Sequence, residues 1–204
     1  MNAPARFFLP DIQASADHRQ QAINKVGVKG LRYPLALFDG LGQVQHTVAE
    51  VSMAVGLSPE VKGTHMSRFI ELLEKKRPAL TPERLLRMLD EMLHRLDATS
   101  GTIELAFPYF ISKEAPISGV ESLLDYDVRL RAEKHAGLPA ELHMEIVAPV
   151  TSLCPCSKKI SDYGAHNQRS HITLAVRLRE PMSPDALVRL AEEEASCEVF
   201  GLLK

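Results

Sequence analysis

The chain has 204 residues, 45% of them hydrophobic and 25% charged, an ordinary balance for a protein with a real core. A formal net charge of −2 excludes a global pull toward nucleic acid, so any anion-binding site must be local. No run approaches the roughly 18 apolar residues of a spanning helix, Met1–Phe8 lacks a signal peptide's apolar core, and three cysteines cannot build a full disulfide framework. The expectation is a cytoplasmic protein with reduced thiols and no membrane partner.

Residues 1–27 show no clear period and read as an extended arm. Strand signals start near Leu31, and Val48–Val55 is β-rich behind a possible hairpin turn at Asp39-Gly40-Leu41-Gly42. Two helices follow. Met66, Phe69, Ile70 and Leu73 fall at helical spacing, and Leu85, Leu86, Leu89, Met92, Leu93 and Leu96 do so more strongly. Thr81 is the expected N-cap of the second, with Pro82 at its first position. Ile103, Leu105, Phe107 and Tyr109 then alternate with polar or small residues. So do Leu124, Tyr126, Val128 and Leu130, which gives strands with one wet and one buried face. The order ββααββ predicts an α+β fold, with an antiparallel sheet and helices on one face.

After Gly137 the pattern restarts. Strands are expected over 142–150 and 171–179, then a helix capped by Ser183-Pro184 and running to about Cys197. Two related units follow from this, residues 28–137 and 138–204. The second is incomplete by comparison with the first. Its strands are therefore expected to lack sheet partners in the chain and to invite association. Cys197, beside Ala195 and Val199, is expected in the core.

The densest polar stretch runs from Ser152 to His171 and contains Cys154-Pro155-Cys156-Ser157-Lys158-Lys159 and Gly164-Ala165-His166-Asn167-Gln168-Arg169. Pro155 stiffens the turn and Gly164 can bring His166 back toward Cys154. A thiolate and an imidazole suit zinc, yet two ligands do not complete a site. The same spacing also suits two small residues at a strand end and a solvated histidine, so spacing leaves a metal role, a nucleophile role and a plain structural role open. A second cluster, Lys62-Gly63-Thr64-His65-Met66-Ser67-Arg68, opens the first helix. It reads either as a phosphate cradle at a helix N-terminus or as a solvated cap.

Both clusters, with Ser122-Leu123-Leu124-Asp125-Tyr126-Asp127 and Ala195–Lys204, resemble the type IB GTP cyclohydrolases over nearly the whole chain past the arm. The resemblance implies a tunnelling fold of tandem ββααββ units, a homotetramer with active sites at subunit interfaces, and GTP as substrate. GTP and water would give 7,8-dihydroneopterin triphosphate and formate, the first step of folate and, in some bacteria, queuosine biosynthesis. By motif, Cys154 and His166 would ligate a divalent metal (zinc, manganese or iron). Cys154 and Cys156 would be the catalytic thiols, with Cys156 close to the metal. His65, Ser67 and Arg68 would bind substrate near the triphosphate. Family members extend past Lys204 and are expected to supply further ligands there. Two other functions would fit related features: a deazaguanine nitrile reductase of the same fold, using a cysteine nucleophile, and a non-enzymatic scaffold closed around a metal.

Overall fold

Strict alternation in the middle of the chain gives each strand an apolar and a polar face, and these strands pair in chain order. The computed structural model describes residue 15, residues 18–75 and residues 78–202; most of the expected N-terminal arm lies outside them. The strands are β1 (Ile23–Phe38), β2 (Val44–Leu57), β3 (Gly101–Glu114), β4 (Glu121–Lys134), β5 (Glu141–Leu153), β6 (Asn167–Leu178) and β7 (Cys197–Glu198). The first six form an antiparallel sheet in the order β1-β2-β3-β4-β5-β6, and β7 pairs with β5. Helices α1 (Met66–Glu74) and α2 (Pro82–Arg95) link β2 to β3. A short α3 (Pro155–Ile160) links β5 to β6, and α4 (Pro184–Glu193) follows β6. The class is α+β, as the pattern implied, and the order from β1 to β4 is ββααββ.

β1 starts at Ile23 rather than near Leu31. Its register against β2 shifts between Ile23 and Val26 and again between Val28 and Leu31, which breaks the alternation and hides the strand from periodicity. The turn into β2 is the expected one. Asp39 Oδ1 accepts from the Leu41 and Gln43 amides at 2.9 and 2.7 Å, and Gly42 takes φ +79°, where a side chain would be strained. Thr81 caps α2: its hydroxyl accepts from the Arg84 amide at 3.3 Å and donates to Glu83 at 2.7 Å. Ser183 holds the equivalent position before α4, but its hydroxyl makes no cap bond.

One apolar layer holds the fold. Val51, Met53, Ile103, Leu105, Val128, Leu130, Met144 and Ile146 face Phe69, Leu72, Leu85, Leu89 and Met92 from α1 and α2, with Leu187 and Val188 from α4 in the same cluster. α1, α2 and α4 therefore cover one sheet face, whereas α3 buries nothing.

The expectation that strands 142–150 and 171–179 lack partners is corrected. β5 pairs with β4 from Glu133↔Glu141 to Asp127↔Val147, and with β6 along its length. The turn at His135–Leu138, with Gly137 at φ +76°, is tight enough to return β5 beside β4. The apolar positions of β4 and β5 then fall in register on the buried face. Cys197 also departs from expectation: α4 ends at Glu193, and Cys197 is exposed in β7. The backbone there serves the free edge of β5 instead of extending a helix.

Candidate active site

Beyond Val147, β5 separates from β4 but stays paired with β6 as far as Leu153↔Asn167. The chain between those two residues leaves the sheet end and returns to it. Cys154 is the N-cap residue of α3 in extended backbone, and Pro155 takes the first helical position, where its missing N–H costs nothing. Gly164, at φ +100°, lets the chain double back, and the Cys154 amide donates to the His166 carbonyl at 3.3 Å.

Ser157 joins the two side chains. Its Oγ lies 2.5 Å from His166 Nδ1. Its hydroxyl is also the main reason the Cys154 thiol is held below the ordinary thiol range, followed by the Ser157 amide, with burial opposing and Cys156 adding to the lowering. None of these contacts is aligned as a cap hydrogen bond on the helix. If the protons run His166 Nδ1–H to Ser157 Oγ–H to Cys154 Sγ, the thiolate is stabilised and the His166 Nε2 lone pair is left open. Cys156 sits on the first turn of α3, exposed. The structure thus brings Cys154, Cys156 and His166 into one turn. The sequence reading assigned no role to Ser157; its position three residues after Cys154 and within a histidine-bearing loop was the available signal.

His65, Ser67 and Arg68 lie elsewhere. His65 is the N-cap residue of α1 without a side-chain cap bond. Arg68 is half-buried and its Nη1 donates to the Arg95 carbonyl at 2.8 Å, closing the end of α2 just before β3 begins. That is the sheet end at which β5 starts, whereas Cys154 follows its finish. β5 runs the 13 residues between those ends, so the two clusters stand at opposite ends of the sheet within one chain.

A third group, on the wet sheet face, was missed. Among the described residues, Glu133, Glu141 and His143 bring ligand-type atoms within 4.8 Å of one another, an arrangement consistent with a divalent metal. His143 Nε2 lies 3.3 Å from Glu133 Oε1 and 3.4 Å from Glu141 Oε2, within ion-pair range of both but aligned for a hydrogen bond with neither. Arg131 and Arg177 already neutralise the two carboxylates, at 3.0 and 2.9 Å. The signal in the sequence was the period-2 placement of these residues on either side of the turn that returns β5 to β4.

Fold and site together define an α+β protein with a cysteine thiol and an imidazole brought together at one sheet end. A sequence model described as type I GTP cyclohydrolase FolE2 matches residues 9–204. GTP cyclohydrolase FolE2 1 of Dechloromonas aromatica (strain RCB) is 69% identical over 204 residues, covering 100% of this chain and 77% of the relative. GTP cyclohydrolase FolE2 of Azoarcus sp. (strain BH72) is 54% identical over 204 residues, covering 100% and 76%. The protein of the same name from Burkholderia multivorans is 54% identical over 198 residues, covering 97% and 73%. The chain belongs to the type I GTP cyclohydrolase FolE2 family.

Proposed function

We propose that the Cys154 turn is the centre at which this enzyme converts GTP and water to 7,8-dihydroneopterin triphosphate and formate, feeding folate and, in some bacteria, queuosine biosynthesis. Family membership supports the activity. The observation that carries the site is Ser157 placed between Cys154 and His166.

The donor set fits a divalent ion. Cys154 Sγ and His166 Nε2 would hold it, and a thiolate with an imidazole suits zinc while tolerating manganese or iron. When bound, such an ion supplies Lewis acidity and a water of lowered pKa for attack at C8 of the guanine. Ser157 fixes the His166 ring through Nδ1, so Nε2 keeps its direction. Cys156, exposed on the same turn, would face substrate. A catalytic zinc normally takes three protein ligands, so at least one more donor comes from outside this turn.

The separation of the two clusters supports an oligomeric site. In a homotetramer, His65, Ser67 and Arg68 of one copy would serve the Cys154 turn of another. The tandem ββααββ reading, with units at 28–137 and 138–204 in a tunnelling fold, supplies such an assembly. No described helix is long and apolar enough to cross a membrane.

Metal removal tests the reading. Stripping divalent ions with a chelator is expected to stop formate release from GTP, and adding zinc or manganese back is expected to restore it. Undiminished formate release from the stripped protein would move the assignment to metal-independent thiol chemistry. Arg68→Ala tests the substrate cluster. It is expected to lower unfolding stability by about 1–3 kcal/mol, because a charged hydrogen bond to the Arg95 carbonyl is lost. It is also expected to weaken GTP binding more than guanosine binding. Equal losses for the two ligands, measured by calorimetry, would assign Arg68 to the helix end alone.

A further inference from the structure

Where β5 leaves β4, its outer edge needs a new partner, and β7 fills that place: Val150 pairs with Glu198 and Thr151 with Cys197. Side chains reinforce the pairing. The Thr151 hydroxyl donates to the Cys197 carbonyl at 3.0 Å, and the Leu153 amide donates to the Ser196 hydroxyl at 3.1 Å. Leu153 immediately precedes Cys154. The backbone amide one residue ahead of Cys154 is therefore held by Ser196.

A strand of two residues cannot hold itself in place. Its anchor is a charge cluster drawn from three other elements. Lys113 Nζ on β3 lies 2.5 Å from Glu192 Oε2 on α4 and 2.7 Å from Glu198 Oε2 on β7. Tyr126 on β4 donates its hydroxyl to the other oxygen of Glu192 at 2.7 Å. The side chains of Lys113 and Glu192 are only 11% and 9% exposed, which separates that pair from surface pairs of little worth, and the half-exposed Glu198 joins it through the same lysine. Burial works against the Lys113 charge, but the two carboxylates outweigh it and raise its pKa above the usual lysine range. Burial, then Glu192, pushes the Tyr126 hydroxyl up as well. The lysine end of the cluster is thus held in its charged form, and Glu198 meets that cation at 2.7 Å.

We propose that Lys113, Glu192 and Glu198 are positioning residues for the reaction, a latch that seats β7 against the end of β5 and, through Ser196 and the Leu153 amide, sets where Cys154 stands. The inference rests on the reading of Cys154 as a metal ligand. The latch touches neither substrate nor metal. It acts through the backbone of the strand end, much as outer groups orient the ligands of other metal sites.

Glu198→Ala removes one arm of the latch, and Ser196→Ala removes only its link to Leu153, with no change of charge. In both variants the Leu153 amide is expected to exchange its hydrogen at least about tenfold faster, because local opening governs that rate. Zinc affinity, measured by competition with a chromophoric chelator, is expected to fall by roughly ten- to a hundredfold, the usual cost of disturbing an outer shell. The kcat for formate release should fall in step, while KM for GTP changes less than about threefold, since the triphosphate is bound elsewhere. A Leu153 amide that exchanges at the wild-type rate in Glu198→Ala overturns the latch. Faster exchange with wild-type zinc affinity and kcat overturns its functional role. A Cys154→Ala control separates the two layers: if it kept wild-type zinc affinity, the ligand assignment would fall, and the exchange rate would still judge the latch.

Discussion

Cys154→Ala is expected to cut formate release from GTP by roughly three orders of magnitude or more, beyond the ten- to hundredfold cost typical of groups that only support a ligand. The reasoning starts from position. Cys154 is the cysteine that Ser157 and the backbone amides of the turn hold below the ordinary thiol range, and the serine that does this also contacts the imidazole. Removing the sulfur removes one of the two donors the turn offers a metal and leaves Ser157 holding only the His166 ring. The fold should survive, because α3 buries no residue and the turn lies outside the apolar cluster. The measurement is paired: metal content and formate release on one side, the urea midpoint on the other. An unchanged midpoint with lost metal and lost turnover is the expected result. Wild-type turnover in the Cys154→Ala protein would sink the assignment of the turn as the active site.

Leu89→Ala is expected to destabilise the protein by about 2–5 kcal/mol, through lost burial and the cavity left behind. Leu89 is fully buried at the middle of α2, on the stripe that α2 lays across the sheet with Leu85, Met92 and Leu93. The surrounding residues come from strands paired on both sides, so the site has little room to collapse. Since a domain's whole stability is on the order of 5–15 kcal/mol, such a loss is a large share of it. Denaturant titration would show a lowered midpoint. A change under about 1 kcal/mol would mean that α2 repacks freely and that its packing on the sheet contributes little to stability.

The elements written in short-range periodicity were legible from the residues alone. β3 and β4 announce themselves by alternation, α2 by its leucine and methionine stripe and its Thr81-Pro82 start, and the turn at Asp39–Gly42 by its chemistry. The Cys154 turn was legible too, because a proline between two cysteines and a histidine within one loop are local facts. What the tertiary structure decided lies between residues far apart in the chain. Alternation in β5 does not say which strand lies beside it, so its pairing with β4 was missed; the tight turn through Gly137 and a shared apolar face settle it. Arg68 and the thiol turn sit at opposite ends of the sheet because α2 and β5 set those ends, and neither element is adjacent in sequence to both clusters. Cys197 faces solvent because the free edge of β5 recruits the backbone after α4. The Lys113 cluster joins residues 79 and 85 positions apart, with no local pattern to mark them. A residue's propensities concern its near neighbours in the chain, whereas the partner of a buried charge or a strand edge is chosen only when the whole sheet closes up.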